Sequence, residues 1–158
     1  MNRNLAVIGR YSGAMTHDPS AFSKTLARRP GDPLRVLIVD DDPEIAQMLK
    51  EAVEDMGDAA EVCHDGRGAV TLTLAMEPDV VLLDLSLPDM DGLKVAQTLR
   101  DGAGGGRALK IVAVTGYGDA EARRKTAAAG FDLHLAKPVR LEILESMLDL
   151  LRSAPVVS

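Results

Sequence analysis

Short apolar runs alternate with stretches in which apolar residues recur every three or four positions, from Leu34 to Leu151. Short runs bounded by turns predict strands buried on both faces, whereas the wider spacing predicts amphipathic helices. The predicted strands are 34–39, 59–63, 80–83, 110–114 and 131–135. The predicted helices are 43–56, 66–76, 93–100, 120–129 and 139–151.

Local signals support these elements. Asp42 suits the N-cap of the first helix with Pro43 at its first position, and Gly57 and Gly130 are placed to end two helices. Strict alternation of buried strands and helices predicts an α/β fold with a five-stranded parallel sheet, helices on both faces and right-handed crossovers. We therefore predict one domain over residues 34–152 and a C-terminal tail at 153–158.

Residues 1–33 lack sustained periodicity and close with the sequence RRPGDP. Because Pro and Gly punctuate turns and loops, we predict a flexible N-terminal tail. A regulatory or docking role and a transit peptide are alternative interpretations of this segment.

The composition indicates an aliphatic core and an acidic domain. Hydrophobic residues make up 46% of the chain but aromatic residues only 3%. With a lone Cys63 and no apolar stretch approaching about 18 residues, we predict a cytoplasmic protein without disulfides or membrane contact. Residues 1–33 carry a charge of +3 and residues 34–158 a charge of −9. The acidic part disfavours direct binding to nucleic acid and favours cations.

Candidate site residues follow four of the five predicted strands. Asp40 and Asp41 follow the first strand, Asp84 the third, Thr115 the fourth and Lys137 the fifth. The carboxyl ends of parallel strands share one rim, where open α/β sheets bind ligands. We therefore expect these side chains to converge on one pocket.

The acids of this pocket favour a bound cation, because like charges about 4 Å apart repel by roughly 4 kcal/mol at an effective dielectric near 20. Oxygen ligands suit Mg²⁺, whereas Cys63, His64 and His134 lack the spacing of a zinc site. A carboxylate beside Mg²⁺, a lysine and a threonine fits nucleophilic attack on phosphorus to give an aspartyl phosphate.

Four motifs occur in order along residues 34–151, namely VLIVDDDPEI, VVLLDLSLPDMDG, VAVTGYG and HLAKP. Together they resemble the receiver domain of two-component response regulators. The resemblance implies a flavodoxin-like (βα)5 fold with strand order 2-1-3-4-5. It also implies a signalling module, monomeric or weakly homodimeric, that catalyses only its own phosphorylation and dephosphorylation. Its expected partners are a histidine kinase or histidine-phosphotransfer protein, and a downstream protein reached by altered binding or by phosphorelay.

The resemblance assigns roles to the strand-end residues. Asp84 is the implied phosphoacceptor, and Lys137 is the ammonium that pairs with the phosphoryl group. Asp41 is the implied direct Mg²⁺ ligand, and Asp40 is its neighbour that acts partly through water. Ser86 is expected to contribute only its backbone carbonyl to the metal.

The switch region departs from the family pattern. Thr115 matches the switch hydroxyl, but the position three before Lys137, often an aromatic rotamer switch, is His134. His134 could still change rotamer or respond to pH. Gly116 replaces the frequent Ala after the switch Thr, which is expected to loosen that loop. Pro138 is expected to follow a cis peptide, as in relatives.

Other interpretations stay open. The chain could be a receiver detached from a hybrid histidine kinase, or an interaction module that no longer signals by phosphate. A Mg²⁺-dependent phosphatase of the haloacid-dehalogenase type also uses an Asp nucleophile, but its DxDx(T/V) motif would stand where this chain has DDDPE. Structural roles are expected for Asp42 as a helix cap, Asp89 and Asp91 as turn residues, and Cys63 in packing.

Overall fold

The structure is a computed structural model that describes residues 28–102, 109–116 and 120–154, with the backbone alone at 120–122. Five strands alternate with five helices in these ranges. The strands are β1 Arg35–Val39, β2 Ala59–Cys63, β3 Val80–Asp84, β4 Lys110–Thr115 and β5 Leu133–Ala136. The helices are α1 Pro43–Asp55, α2 Gly66–Met76, α3 Gly92–Asp101, α4 Ala120–Ala128 and α5 Leu141–Ser153.

The strands form one parallel sheet in the order β2-β1-β3-β4-β5. Every strand pairs in parallel with its neighbours, so all five carboxyl ends lie at one edge of the sheet. The last residue of β3, Asp84, is in register with Val114 of β4, and Thr115 of β4 is in register with Ala136 of β5. The predicted α/β fold and strand order are confirmed.

The sheet is covered on both faces by helices. Along β1, Val36 and Ile38 belong to a core cluster shared with α1 and α5, while Leu37 and Val39 belong to a second cluster shared with α2 and α3. Successive side chains of a strand point to opposite faces. This explains why the strands appear in the sequence as continuous apolar runs.

The expected caps of α1 are confirmed. Asp42 is the N-cap, with a carboxylate oxygen accepting from the backbone N–H of Glu44 at 2.9 Å, and Pro43 is the first helical residue. At the other end Gly57 adopts a φ of 95°, and its N–H donates to the carbonyl of Glu54 at 3.0 Å. This left-handed residue satisfies a carbonyl of the last turn and ends the helix.

Two elements were predicted to begin two residues too early in the sequence. The fifth strand was expected from Phe131 but begins at Leu133, because the Phe131 N–H donates to the Thr126 carbonyl at the end of α4. The last helix was expected from Val139 but begins at Leu141, since Arg140 is still extended. Val139 packs against the core although it is not helical, which accounts for an apolar residue at this position.

Residues ahead of β1 contact the end of α5. The Arg28 guanidinium donates to the carbonyls of Leu151 at 3.1 Å and Arg152 at 2.9 Å. The Gly31 N–H donates to the same Arg152 carbonyl at 2.8 Å. These bonds satisfy carbonyls that the end of a helix leaves without partners.

Several predicted loops and tails fall partly outside the described residues. These are residues 1–27 of the N-terminal tail, 155–158 of the C-terminal tail and 103–106 of the Gly-rich loop. Asp101 and Gly102 of that loop are described, the first as the end of α3 and the second as its C-cap. Among the helices of the described ranges, none has the length and apolar character needed to cross a membrane.

Candidate functional site

Four predicted site residues lie at the carboxyl edge of the sheet. Asp40 directly follows β1, Asp84 ends β3 and Thr115 ends β4. Lys137 follows β5 directly, and its backbone N–H donates to the Thr115 carbonyl at 2.9 Å. Asp40, Asp84 and Thr115 are all buried. Polar side chains buried at a strand end need partners.

Three carboxylates meet at this edge. Asp40, Asp41 and Asp84 each place one carboxylate oxygen within 4.8 Å of the other two. Asp40 and Asp84 are buried, while Asp41 is exposed. The expected convergence of the acids is therefore observed.

Lys137 is the cation of the site. Its Nζ lies 3.2 Å from Asp40 Oδ2 and 3.4 Å from Asp84 Oδ2. Burial by itself would lower the pKa of Lys137, but the two carboxylates outweigh it and the pKa is raised. The side chain is therefore a charged ammonium at neutral pH.

Burial disfavours the charged form of Asp40. Burial raises the pKa of its carboxyl group, against the lowering effects of the Asp42 N–H and of Lys137. Asp40 Oδ1 accepts from the Asp42 N–H at 2.9 Å. Oδ2 is buried without a well-aligned hydrogen bond among the described residues. One ammonium is thus shared between two buried acids, with a third acid nearby.

This donor set fits a hard divalent cation. Clustered carboxylate oxygens, one of them exposed, are the ligands that Mg²⁺ prefers, with positions left for water. The buried Oδ2 of Asp40 is an acceptor that a cation could satisfy. Asp40, Asp41 and Asp84 are the residues that would hold the ion.

Ser86 contacts Asp84 through its backbone. Its N–H donates to Asp84 Oδ1 at 3.0 Å, so the two oxygens of Asp84 have different surroundings, with Oδ2 beside Lys137. Ser86 also forms a short antiparallel bridge with Asp91. The loop that carries Ser86 therefore closes on itself beside Asp84.

Thr115 and His134 lie on neighbouring strands. His134 is in register with Ala113, two residues before Thr115. Its Nε2 is buried and has no hydrogen-bond partner in the described part of the chain. Burial lowers the pKa of His134, and the nearby Arg123 adds to this effect. The lowered pKa favours the neutral form of the ring at pH 7. The peptide bond before Pro138, which follows β5, is cis as expected.

Two residues near the site were missed in the sequence. His64 Nδ1 lies 2.9 Å from the Asp40 carbonyl, which can only accept, so this nitrogen carries the proton. The residue follows β2 directly, and β2 pairs with β1, so its strand-end position was the available signal. Asp89, expected to shape its own turn, instead accepts from two N–H groups of α2.

The other structural expectations hold. Asp91 caps α3, accepting from the Leu93 N–H at 2.9 Å. Burial raises the pKa of the Cys63 thiol to about 11. The thiol is therefore protonated at neutral pH and serves in packing.

The model of the response regulator receiver domain matches residues 36–149 of the chain. The chain belongs to the response regulator receiver family. This receiver domain is 37% identical over 121 residues to response regulator MprA of Mycolicibacterium vanbaalenii, covering 76% of the chain and 51% of the relative. It is 32% identical over 115 residues to the signal transduction histidine-protein kinase BarA of Shigella flexneri, covering 73% of the chain and 12% of that protein. The chain thus spans about half the length of MprA.

Solved receiver structures share its fold. Chemotaxis response regulator CheY4 of Vibrio cholerae superposes with a TM-score of 0.71 at 28% identity, covering 75% of this chain and 98% of the CheY4 chain. The receiver domain of sensor histidine kinase PA1611 from Pseudomonas aeruginosa gives a TM-score of 0.70 at 25% identity, covering 77% of this chain and 99% of the PA1611 chain. That structure has a magnesium ion coordinated in its active-site cleft.

Proposed function

We propose that this receiver domain takes a phosphoryl group from a phosphohistidine donor onto Asp84. Mg²⁺ would be held by Asp41, Asp84 and the backbone carbonyl of Ser86, and by Asp40 partly through water. The observation that carries the proposal is the surroundings of Asp84. Its carboxylate is buried at the end of β3, 3.4 Å from the Lys137 ammonium and clustered with two further acids. The magnesium ion in the PA1611 receiver supports the same assignment for the metal.

The chemistry is a displacement at phosphorus. A carboxylate oxygen of Asp84 forms the new P–O bond while the P–N bond to the donor histidine breaks, and the histidine nitrogen takes the electron pair. Mg²⁺, when bound, supplies positive charge that neutralises the phosphoryl oxygens. The Ser86 N–H orients Asp84 through Oδ1. Lys137, already beside Oδ2, pairs with the incoming phosphoryl group, and the Thr115 hydroxyl hydrogen-bonds to one of its oxygens.

The donor is a histidine kinase or a histidine-phosphotransfer protein, and the signal passes to a downstream protein partner. The output follows from repacking of the β4 and β5 units, which carry Thr115 and His134. Resemblance to BarA and to the PA1611 receiver supports a kinase-associated receiver as a variant of this function, because both relatives are named as histidine kinases.

Incubation with acetyl phosphate and Mg²⁺, followed by intact mass measurement, tests the proposal. We expect the wild type to gain one phosphate and Asp84→Asn to gain none. Asp91→Asn is the matched control, because Asp91 lies in the loop that follows Asp84 and caps α3, a role that Asn also fills. Labelling that survives Asp84→Asn would exclude Asp84 as the acceptor. Sustained turnover of para-nitrophenyl phosphate would favour the phosphatase, and labelling without any spectroscopic change near His134 would favour a phosphate-independent module.

A further inference from the structure

Asp89 binds a helix that it does not belong to. Its carboxylate accepts from the backbone N–H of Gly66 at 2.7 Å and of Arg67 at 3.0 Å, the first two residues of α2. The N-cap of α2 itself, Asp65, accepts from the Gly68 N–H at 2.6 Å. The free N–H groups of the first turn are therefore shared between an internal cap and a residue from the loop after β3.

Close packing reinforces this contact. A Cβ atom placed on Gly66 would lie 2.8 Å from Met90 Cβ and 2.9 Å from Val95 Cγ2. The backbone of α2 thus lies directly against the residue that follows Asp89, and only glycine leaves room for this approach.

The other end of the same loop closes beneath the phosphoacceptor. The Gly92 N–H donates to the Leu85 carbonyl at 3.2 Å. A Cβ atom on Gly92 would lie 2.6 Å from Leu85 Cα and 2.9 Å from the Asp84 carbonyl oxygen. The loop of residues 85–91 is therefore tied to Asp84 at its base and to α2 near its tip, where Asp89 lies.

We propose that Asp89 is a positioning residue for phosphoryl transfer to Asp84. By holding the 85–91 loop against α2, it sets where the Ser86 backbone stands relative to Asp84 Oδ1, to which the Ser86 N–H donates at 3.0 Å. Loss of this tie lets the loop move away from the site and weakens both Mg²⁺ binding and the orientation of the acceptor. The inference rests on the proposed function, since it needs a metal and a phosphoryl group at Asp84.

Asp89→Ala is compared with Asp65→Ala, each in the full chain. Both variants remove a carboxylate that accepts hydrogen bonds from the first turn of α2, but only Asp89→Ala releases the loop. We expect Asp89→Ala to be labelled by acetyl phosphate about tenfold more slowly and to bind Mg²⁺ more weakly, because small misplacements of reacting groups are costly. Asp65→Ala should stay within about twofold of wild type in both measurements. Asp89→Asn, whose amide oxygen can still accept one N–H, should fall between them.

Melting temperatures distinguish a positioning role of Asp89 from a role as a helix cap alone. If Asp89→Ala loses as much thermal stability as Asp65→Ala but keeps the wild-type labelling rate and Mg²⁺ affinity, Asp89 is only a helix cap and the inference is wrong. If the wild type is not labelled, or if Asp84→Asn is, the proposed function itself fails and this inference falls with it.

Discussion

Lys137 Nζ lies between two buried carboxylates, 3.2 Å from Asp40 Oδ2 and 3.4 Å from Asp84 Oδ2. The three residues come from the ends of β1, β3 and β5 and are far apart in the sequence. The ammonium therefore offsets the repulsion between acids that the parallel sheet brings together.

Replacement of Lys137 by Met should leave this repulsion uncompensated. We expect the free energy of unfolding without Mg²⁺ to fall by about 2 kcal/mol, because buried charged groups lose their partner. Saturating Mg²⁺ should restore part of the loss, which urea titrations with and without the metal would measure. Lys110→Met is the control, since Lys110 is exposed at the opposite end of the sheet. An equal loss with and without Mg²⁺ would contradict this explanation.

Mg²⁺ should stabilise the protein through Asp41. Because the ion binds only the folded state, the free energy of unfolding should rise by about 1.4 kcal/mol for each tenfold of Mg²⁺ above its Kd. Asp41→Ala should abolish most of this rise. Asp42→Ala, the adjacent exposed cap of α1, should cost about 1 kcal/mol but keep the response to Mg²⁺. Thermal melts over a Mg²⁺ titration distinguish the two, and an Asp41→Ala variant with the full response would rule out Asp41 as a ligand.

His134 should make stability depend on pH. Burial and Arg123 lower the pKa of its ring in the folded state, so the unfolded chain binds more protons below about pH 6.5. The contribution of the neutral ring is present above that pH and is lost as the pH falls toward the lower folded-state pKa. Relative to His134→Phe, which also removes the unpartnered Nε2, the wild type should lose unfolding free energy between pH 7.5 and 5.5, an interval chosen to span about pH 6.5. A constant difference across this interval would contradict the assignment.

Arg28 should stabilise the end of α5. Its guanidinium is largely buried and binds two terminal carbonyls of that helix. Arg28→Ala should lower the unfolding free energy by about 2 kcal/mol, since hydrogen bonds from a charged donor are lost. The neighbouring Arg29 is exposed, and Arg29→Ala should be nearly neutral. Chemical denaturation of the two variants makes the comparison, and equal stabilities would show that the Arg28 contact adds nothing.

Local sequence patterns predicted the helices and strands well, except where an apolar residue lies outside a regular element. Phe131 and Val139 are both apolar and both lie just outside a regular element. Phe131 donates its N–H back to α4, and Val139 packs on the core ahead of α5. Apolar periodicity reports burial, and burial alone does not reveal which carbonyl accepts a given N–H.

In the candidate site, likewise, some residues were predicted from the sequence and others were not. The strand-end positions of Asp40, Asp84 and Thr115 were readable because a parallel sheet places all carboxyl ends at one edge. His64 also follows a strand, β2, but its contact is with the Asp40 carbonyl of another strand end. Asp89 carried no such signal, since its partner is the first turn of α2.

The sequence by itself determined the α/β class, the five units and the acids, lysine and threonine at the strand ends, because these follow from periodicity and chain order. The tertiary structure alone decided which partners those groups share: that Lys137 lies between Asp40 and Asp84, and that Asp89 ties its loop to α2. Contacts between distant elements depend on how the sheet and helices pack. No local pattern of residues determines which of these elements come into contact.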